Sequence, residues 1–64
     1  MEQFRPRLER LPTVKGRTGK GRTSIYNDIK NGTFPKPIRI GDRSVAWDSF
    51  AIDKWIENKI MGGK

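Results

Sequence analysis

Apolar residues fall in short runs along this chain, and their spacing changes from one run to the next. Leu11 and Val14 stand three apart, Ile25 and Ile29 four apart, and Ile52, Trp55, Ile56 and Ile60 recur over three turns. Between these runs, Ile38-Arg39-Ile40 and Val45-Ala46-Trp47 alternate with a period of two. The first spacing belongs to one face of a helix, the second to a half-buried strand. The pattern therefore predicts helices over 11–18 and 23–31, a two-stranded hairpin over 38–47, and a third helix after Asp48.

The breakers agree with those boundaries. Pro12 sits at a tolerated first-turn position, whereas Gly16 weakens its helix by about 1 kcal/mol relative to Ala. Gly19-Lys20-Gly21 interrupts the chain, and Gly32 stands where a left-handed C-terminal cap wants a residue without Cβ. Asn31-Gly32 is also a hairpin dipeptide, but the residues before it do not alternate, so the helical reading is preferred. Phe34-Pro35-Lys36-Pro37 is stiff and non-helical and delivers the chain into the first strand. A four-residue turn, Gly41-Asp42-Arg43-Ser44, would leave Ile38, Ile40, Val45 and Trp47 facing inward. Asp48 is a good N-cap for the last helix, which Gly62-Gly63 ends. Residues 1–9 alternate charges around Pro6 without periodicity and read as a flexible arm, residues 10–61 as one domain, and residues 62–64 as a tail. The expected fold is mainly α with a small β-hairpin, in the order α-α-β-β-α, which is that of a winged helix-turn-helix.

Charge adds a direction. The 64 residues carry a formal net charge of +7, and the segment from Arg10 to Arg43 holds nine basic residues against Asp28 and Asp42. That imbalance favours polyanions, nucleic acid before anionic membrane. Chemistry is correspondingly sparse, because the chain has no Cys and no His, which removes disulfides, thiolate catalysis and the usual zinc sites. No cofactor, metal or catalytic residue is expected. Asp53 and Glu57 stand four apart beside Lys54 on the expected wet face with no nucleophile near them. Gly16-Arg17-Thr18-Gly19-Lys20-Gly21-Arg22-Thr23 approaches a phosphate-binding loop, yet Arg22 replaces the required Lys and no strand precedes it. Asn31-Gly32-Thr33 matches a glycosylation acceptor, and without a secretion signal it carries no weight. With neither a signal region nor a membrane span in view, the expected compartment is the cytoplasm.

The helix over 23–31 is the candidate reading head. With Ile25 and Ile29 inside, Arg22, Thr23, Ser24, Tyr26, Asn27 and Lys30 are left for the major groove. Arg22 suits a phosphate or the O6 and N7 of guanine, Asn27 suits adenine N6 and N7, and Thr23 and Ser24 bond to either kind of group. Lys20 in the turn and Arg39, Arg43 and Ser44 on the wing would meet the backbone. Tyr26 divides between the core edge and DNA; Trp47 and Trp55 occupy inward positions and read as core. The competing classes are an RNA-binding basic protein, which would expose aromatic rings for stacking, and an antitoxin-like or adaptor module working through the Trp55 helix, which would expose a large apolar patch.

These residues also carry a family likeness. Arg10-Leu11-Pro12, Val14, Arg17-Thr18-Gly19, Arg22-Thr23-Ser24-Ile25-Tyr26, Gly32-Thr33-Phe34-Pro35-Lys36-Pro37-Ile38, Val45-Ala46-Trp47 and Trp55-Ile56 occur in fixed order, and over residues 8–60 the chain resembles the AlpA-type regulators of prophages and genomic islands. That family is similar to phage excisionases, small MerR-like winged-helix proteins. The resemblance implies binding to double-stranded DNA at a promoter or attachment site, transcriptional control of mobile-element genes, and biasing of a tyrosine integrase toward excision. It places Arg22, Thr23, Ser24, Tyr26 and Asn27 in the groove and Arg39 and Arg43 on the wing. Neighbouring copies on DNA, or the integrase, are the expected protein partners, since one module of this size covers little DNA. The chain departs from the family pattern at Lys20 and Asp28, where apolar residues are usual, at Gly21, where serine caps the helix, and at Asn27, where a basic residue is common.

Overall fold

The computed structural model describes residues 7–62, which form β1 (Leu8–Glu9), α1 (Leu11–Thr18), α2 (Arg22–Asn31), β2 (Ile38–Arg39), β3 (Val45–Asp48) and α3 (Ser49–Gly62). The fold is mainly helical with a small antiparallel sheet of order β1-β3-β2. No helix among the described residues is long and apolar enough to cross a membrane.

Each helix ends where local chemistry stops it. At Gly19, φ is 72° and its N–H donates to Lys15 O at 2.8 Å, a single left-handed closure. Gly32, at φ 82°, donates to Ile29 O at 3.1 Å while Thr33 N donates to Asp28 O at 2.8 Å, the paired bonds of a Schellman motif. Asp48 accepts from the Phe50 N–H at 3.0 Å and so caps α3 as expected. The start of α2 has no such support, for Gly21 contributes no side-chain cap.

Val14, Ile25, Phe34, Trp47 and Ile52 form the buried core, one residue from each of α1, α2, the proline linker, β3 and α3. Leu11, Ile29, Val45, Trp55 and Ile56 pack around it. Trp47 is completely buried and its Nε1 donates to Pro35 O at 3.0 Å, so the core indole also anchors the stiff linker. Phe34 meets Trp55 edge to face with centroids 5.2 Å apart.

Three expectations need correcting. Leu8 and Glu9 belong to the segment read as a free arm, yet they pair with Asp48 and Trp47 of β3, and the Arg7 N–H donates to Ser49 Oγ at 3.0 Å while Arg7 O accepts from the Ser49 N–H at 2.8 Å. Two residues are too few for a visible period, and what holds them lies some forty residues away. The element order is therefore β-α-α-β-β-α; the remaining arm, 1–6, and residues 63–64 lie outside the described residues.

The second correction concerns the hairpin. Val45 and Trp47 face inward as expected, but Ile38 and Ile40 remain 46% and 43% exposed. The register pairs Ile38 with Ala46 and Arg39 with Val45, and Ile40 N donates to Ser44 O, so the loop has three residues rather than four. Shifting the pairing by one turns the other face of β2 toward the helices. Third, Ile60 continues the apolar stripe of α3 but is 76% exposed, because the helix outruns the small core beneath it.

An ion-pair network joins β1, α1 and α3. Glu9 points inward beside Trp47 and is only 5% exposed. Arg17 Nη1 donates to both Glu9 oxygens at 2.8 and 2.7 Å, and its Nη2 donates to Asp53 Oδ1. Bonding to Glu9 first, and to Asp53 second, raises the Arg17 pKa further above its ordinary value. One guanidinium thus links β1, α1 and α3. Asp53, expected to be merely solvated, is its third anchor.

Two alanine substitutions should have opposite signs. Gly16 is exposed within α1 with open space where a Cβ would stand, so Gly16→Ala is expected to stabilise by about 0.5–1 kcal/mol. Gly32→Ala forces a Cβ into left-handed backbone and is expected to destabilise by about 1 kcal/mol. Removing the buried carboxylate, Glu9→Ala, is expected to cost about 2 kcal/mol, less than for a fully enclosed pair because Arg17 keeps Asp53 and some water. Urea midpoints at constant m-value measure all three.

Candidate nucleic-acid interface

Helix α2 divides cleanly by depth. Ile25 is fully buried and Ile29 is half-buried against the core, while Thr23, Ser24, Asn27, Lys30 and Asn31 are exposed on the other side. At about 100° per residue, Thr23, Asn27 and Lys30 cluster on the outward side, with Tyr26 and Asp28 on opposite flanks. The amphipathic division expected of the helix is thus present in three dimensions.

Tyr26 sits at the core edge and stays partly open to solvent. Its ring meets Trp47 edge to face at 6.2 Å between centroids, yet the residue stays 37% exposed. The Arg22 guanidinium lies over the outer part of that ring, 5.8 Å from its centroid. Arg22, Thr23, Tyr26 and Asn27 together line a shallow, open depression. Arg22 therefore rests against an aromatic face and is tied to no carboxylate among the described residues.

The wing residues are placed differently from one another. Arg39 folds back, donating from Nε to Gly41 O at 3.3 Å and from Nη2 to Asp42 O at 3.2 Å, which stiffens the three-residue loop. Arg43 is exposed at the loop tip and Ser44 is half-buried beside Gly41. Lys20, expected to be free for a phosphate, is instead ion-paired: its Nζ lies 2.8 Å from Asp28 Oδ2, and both side chains are 28% exposed. Two residues that look anomalous one at a time in the sequence are partners in space. The only hint of this was their opposite charge, Lys20 within the glycine turn and Asp28 on the helix that follows it.

Among the described residues, Arg7, Arg17 and Lys20 make ion pairs; the cations of α2, the linker and the wing, Arg22, Lys30, Lys36, Arg39 and Arg43, make none, and neither do Arg10, Lys15, Lys54 and Lys59. The sheet carries one aromatic residue, Trp47, and it is buried, so no stacking platform of the kind an RNA-binding sheet presents is on view. No cluster of three or more His, Cys, Asp or Glu side chains able to hold a metal occurs among the described residues.

Comparison with known proteins points the same way. A family model described as prophage CP4-57 regulatory protein (AlpA) matches residues 7–60. The chain is 36% identical over 59 residues to the DNA-binding transcriptional activator AlpA of Escherichia coli strain K12, covering 83% of this chain and 84% of that protein. It is also 34% identical over 58 residues to the uncharacterized protein ORF88 of enterobacteria phage P4, covering 91% of this chain and 66% of the phage protein. The family match begins at Arg7, the residue whose backbone bonds to Ser49 tie the first strand into the sheet, and ends in the last turns of α3. In sequence and in the extent of its folded unit, this chain belongs to the AlpA family of phage regulatory proteins.

Proposed function

We propose that this protein is a sequence-specific double-stranded DNA-binding regulator of a prophage or genomic island, built as a winged helix-turn-helix with α2 as its recognition helix. The observation that carries this reading is the division of α2: Ile25 is wholly inside, and Thr23, Ser24, Asn27 and Lys30 are wholly outside beside an aromatic-held Arg22. Membership of a regulatory family supports it, as does a relative named as a DNA-binding transcriptional activator. The protein is a regulator and not an enzyme; it acts by occupancy.

In this reading α1 crosses the phosphate backbone and α2 enters the major groove. Arg22 and Asn27 carry base recognition, with guanine and adenine edges as their natural partners, and Thr23, Ser24 and Tyr26 supply shorter contacts. Lys30 on α2 and Arg43 on the wing meet phosphates, while Arg39 and Ser44 hold the wing loop in the shape that presents Arg43. At a promoter such occupancy blocks or recruits polymerase. At an attachment site the same bound protein biases a tyrosine integrase toward excision by bending DNA or by direct contact. One module covers too little DNA for tight binding alone, so neighbouring copies or the integrase complete the affinity. The outer sheet face, where Leu8 and Ile38 are about half exposed, is available for such contacts.

Arg22→Ala and Asn27→Ala are each expected to cost about 1–3 kcal/mol at the specific site with little effect on random duplex. Arg43→Ala is expected to weaken all duplexes alike and to lower the slope of log K against log salt by about 0.9. Mobility-shift titrations on the upstream region of the regulated genes, with random duplex as reference, decide the matter. Equal losses on both DNAs for the first pair would reject the groove assignment.

A further inference from the structure

Asp28 is the one carboxylate on the helix we assign to the groove, and it lies on the flank of that helix nearest the glycine turn. A lone carboxylate there would repel the phosphate backbone. It is not alone: Lys20, from the turn between α1 and α2, meets it at 2.8 Å with both side chains largely shielded from water. The turn has little else to hold it to α2. Gly19 is left-handed, Gly21 provides no cap, and the Lys20 N–H bonds backward to Thr18 Oγ1 at 3.3 Å.

The consequence for DNA binding is a matter of counting cations. A lysine in the connection between the two helices stands where it would meet a phosphate, adding attraction to any duplex whatever its sequence. Attraction of that kind raises the affinity for every duplex by about the same factor, so it leaves the ratio of correct to competing sites unchanged while tightening the hold of bulk DNA on the protein. Resting on the assignment of α2 to the major groove, we propose that the Lys20–Asp28 pair limits sequence-independent binding: Asp28 withholds Lys20 from the backbone, and the pair stays closed when duplex DNA is bound. Asp28 thereby leaves recognition to Arg22, Thr23 and Asn27. It positions and neutralises a neighbour and touches no base itself.

The alternative is a swap, in which Lys20 leaves Asp28 for a phosphate on binding. The two differ in how many phosphate contacts the bound state contains. The test is a titration of random-sequence duplex against the wild type, Asp28→Asn and the double variant Lys20→Gln/Asp28→Asn, between about 50 and 200 mM salt. With the pair closed in the complex, Asp28→Asn frees one cation. It should bind random duplex several-fold more tightly at low salt, with a slope steeper by about 0.9, and the double variant should return to the wild-type slope. With a swap, Asp28→Asn keeps the wild-type slope and the double variant loses about 0.9; that result overturns the proposal. Circular-dichroism melts identify any variant that loses its fold, and Asp28→Glu, which restores the charge, should restore the wild-type slope as well. If the wild type binds no duplex at all, the DNA-binding assignment itself falls, and the proposed device falls with it. Wild-type binding with a swapped slope pattern overturns the device alone.

Discussion

Ile25 has no contact with water, and its position inside the molecule determines which residues of α2 can reach a partner. The core it enters is shallow, with Val14, Phe34, Trp47 and Ile52 each contributed by a different segment. In a chain this short no second layer exists to compensate for a misplaced element. Turning α2 by one residue would bury a polar group and expose Ile25, at a cost the small core could not absorb. The orientation of the outward face is therefore fixed by the hydrophobic effect acting on the inward one.

Trp47 extends that constraint to the other parts of the candidate interface. Its ring carries Tyr26, which in turn carries the Arg22 guanidinium, and its N–H holds the linker that leads into the wing. Helix α2 and the hairpin are thus referenced to one buried indole. This arrangement favours directional contacts, because a side chain that already lies in place loses less entropy when it binds.

Two groups of charges stand apart by the same logic, although Arg10, Lys15, Lys54 and Lys59 belong to neither. Glu9, Arg17 and Asp53 act on the fold, and the buried Glu9 is tolerable only because two arginines satisfy it. Arg22, Lys30, Lys36 and Arg43 are left outside that network, on the side of α2, linker and hairpin. Lys20 and Asp28 lie between the two groups and neutralise each other at the border. Net charge alone, large as it is, says nothing about this division.

Where structure depends on neighbours in sequence, the chain can be read directly: helix periodicity, the break at Gly19, the left-handed glycine at 32, the Asp48 cap and the burial of Ile25 were all legible, since each is settled within about one or two turns. The same holds for the exposed set on α2, which follows once Ile25 and Ile29 are inside. What sequence could not decide was everything set by pairing across distance. Residues 8 and 9 become a strand only because β3 has a free edge for them, and the hairpin faces its isoleucines outward only because the loop closes over three residues instead of four. Lys20 finds Asp28, and Arg17 finds Glu9 and Asp53, because packing of α1 against its neighbours brings those atoms together. Local chemistry selects the elements, whereas cross-strand register and opposite charges far apart in the chain acquire an energy only after the fold has placed them in contact.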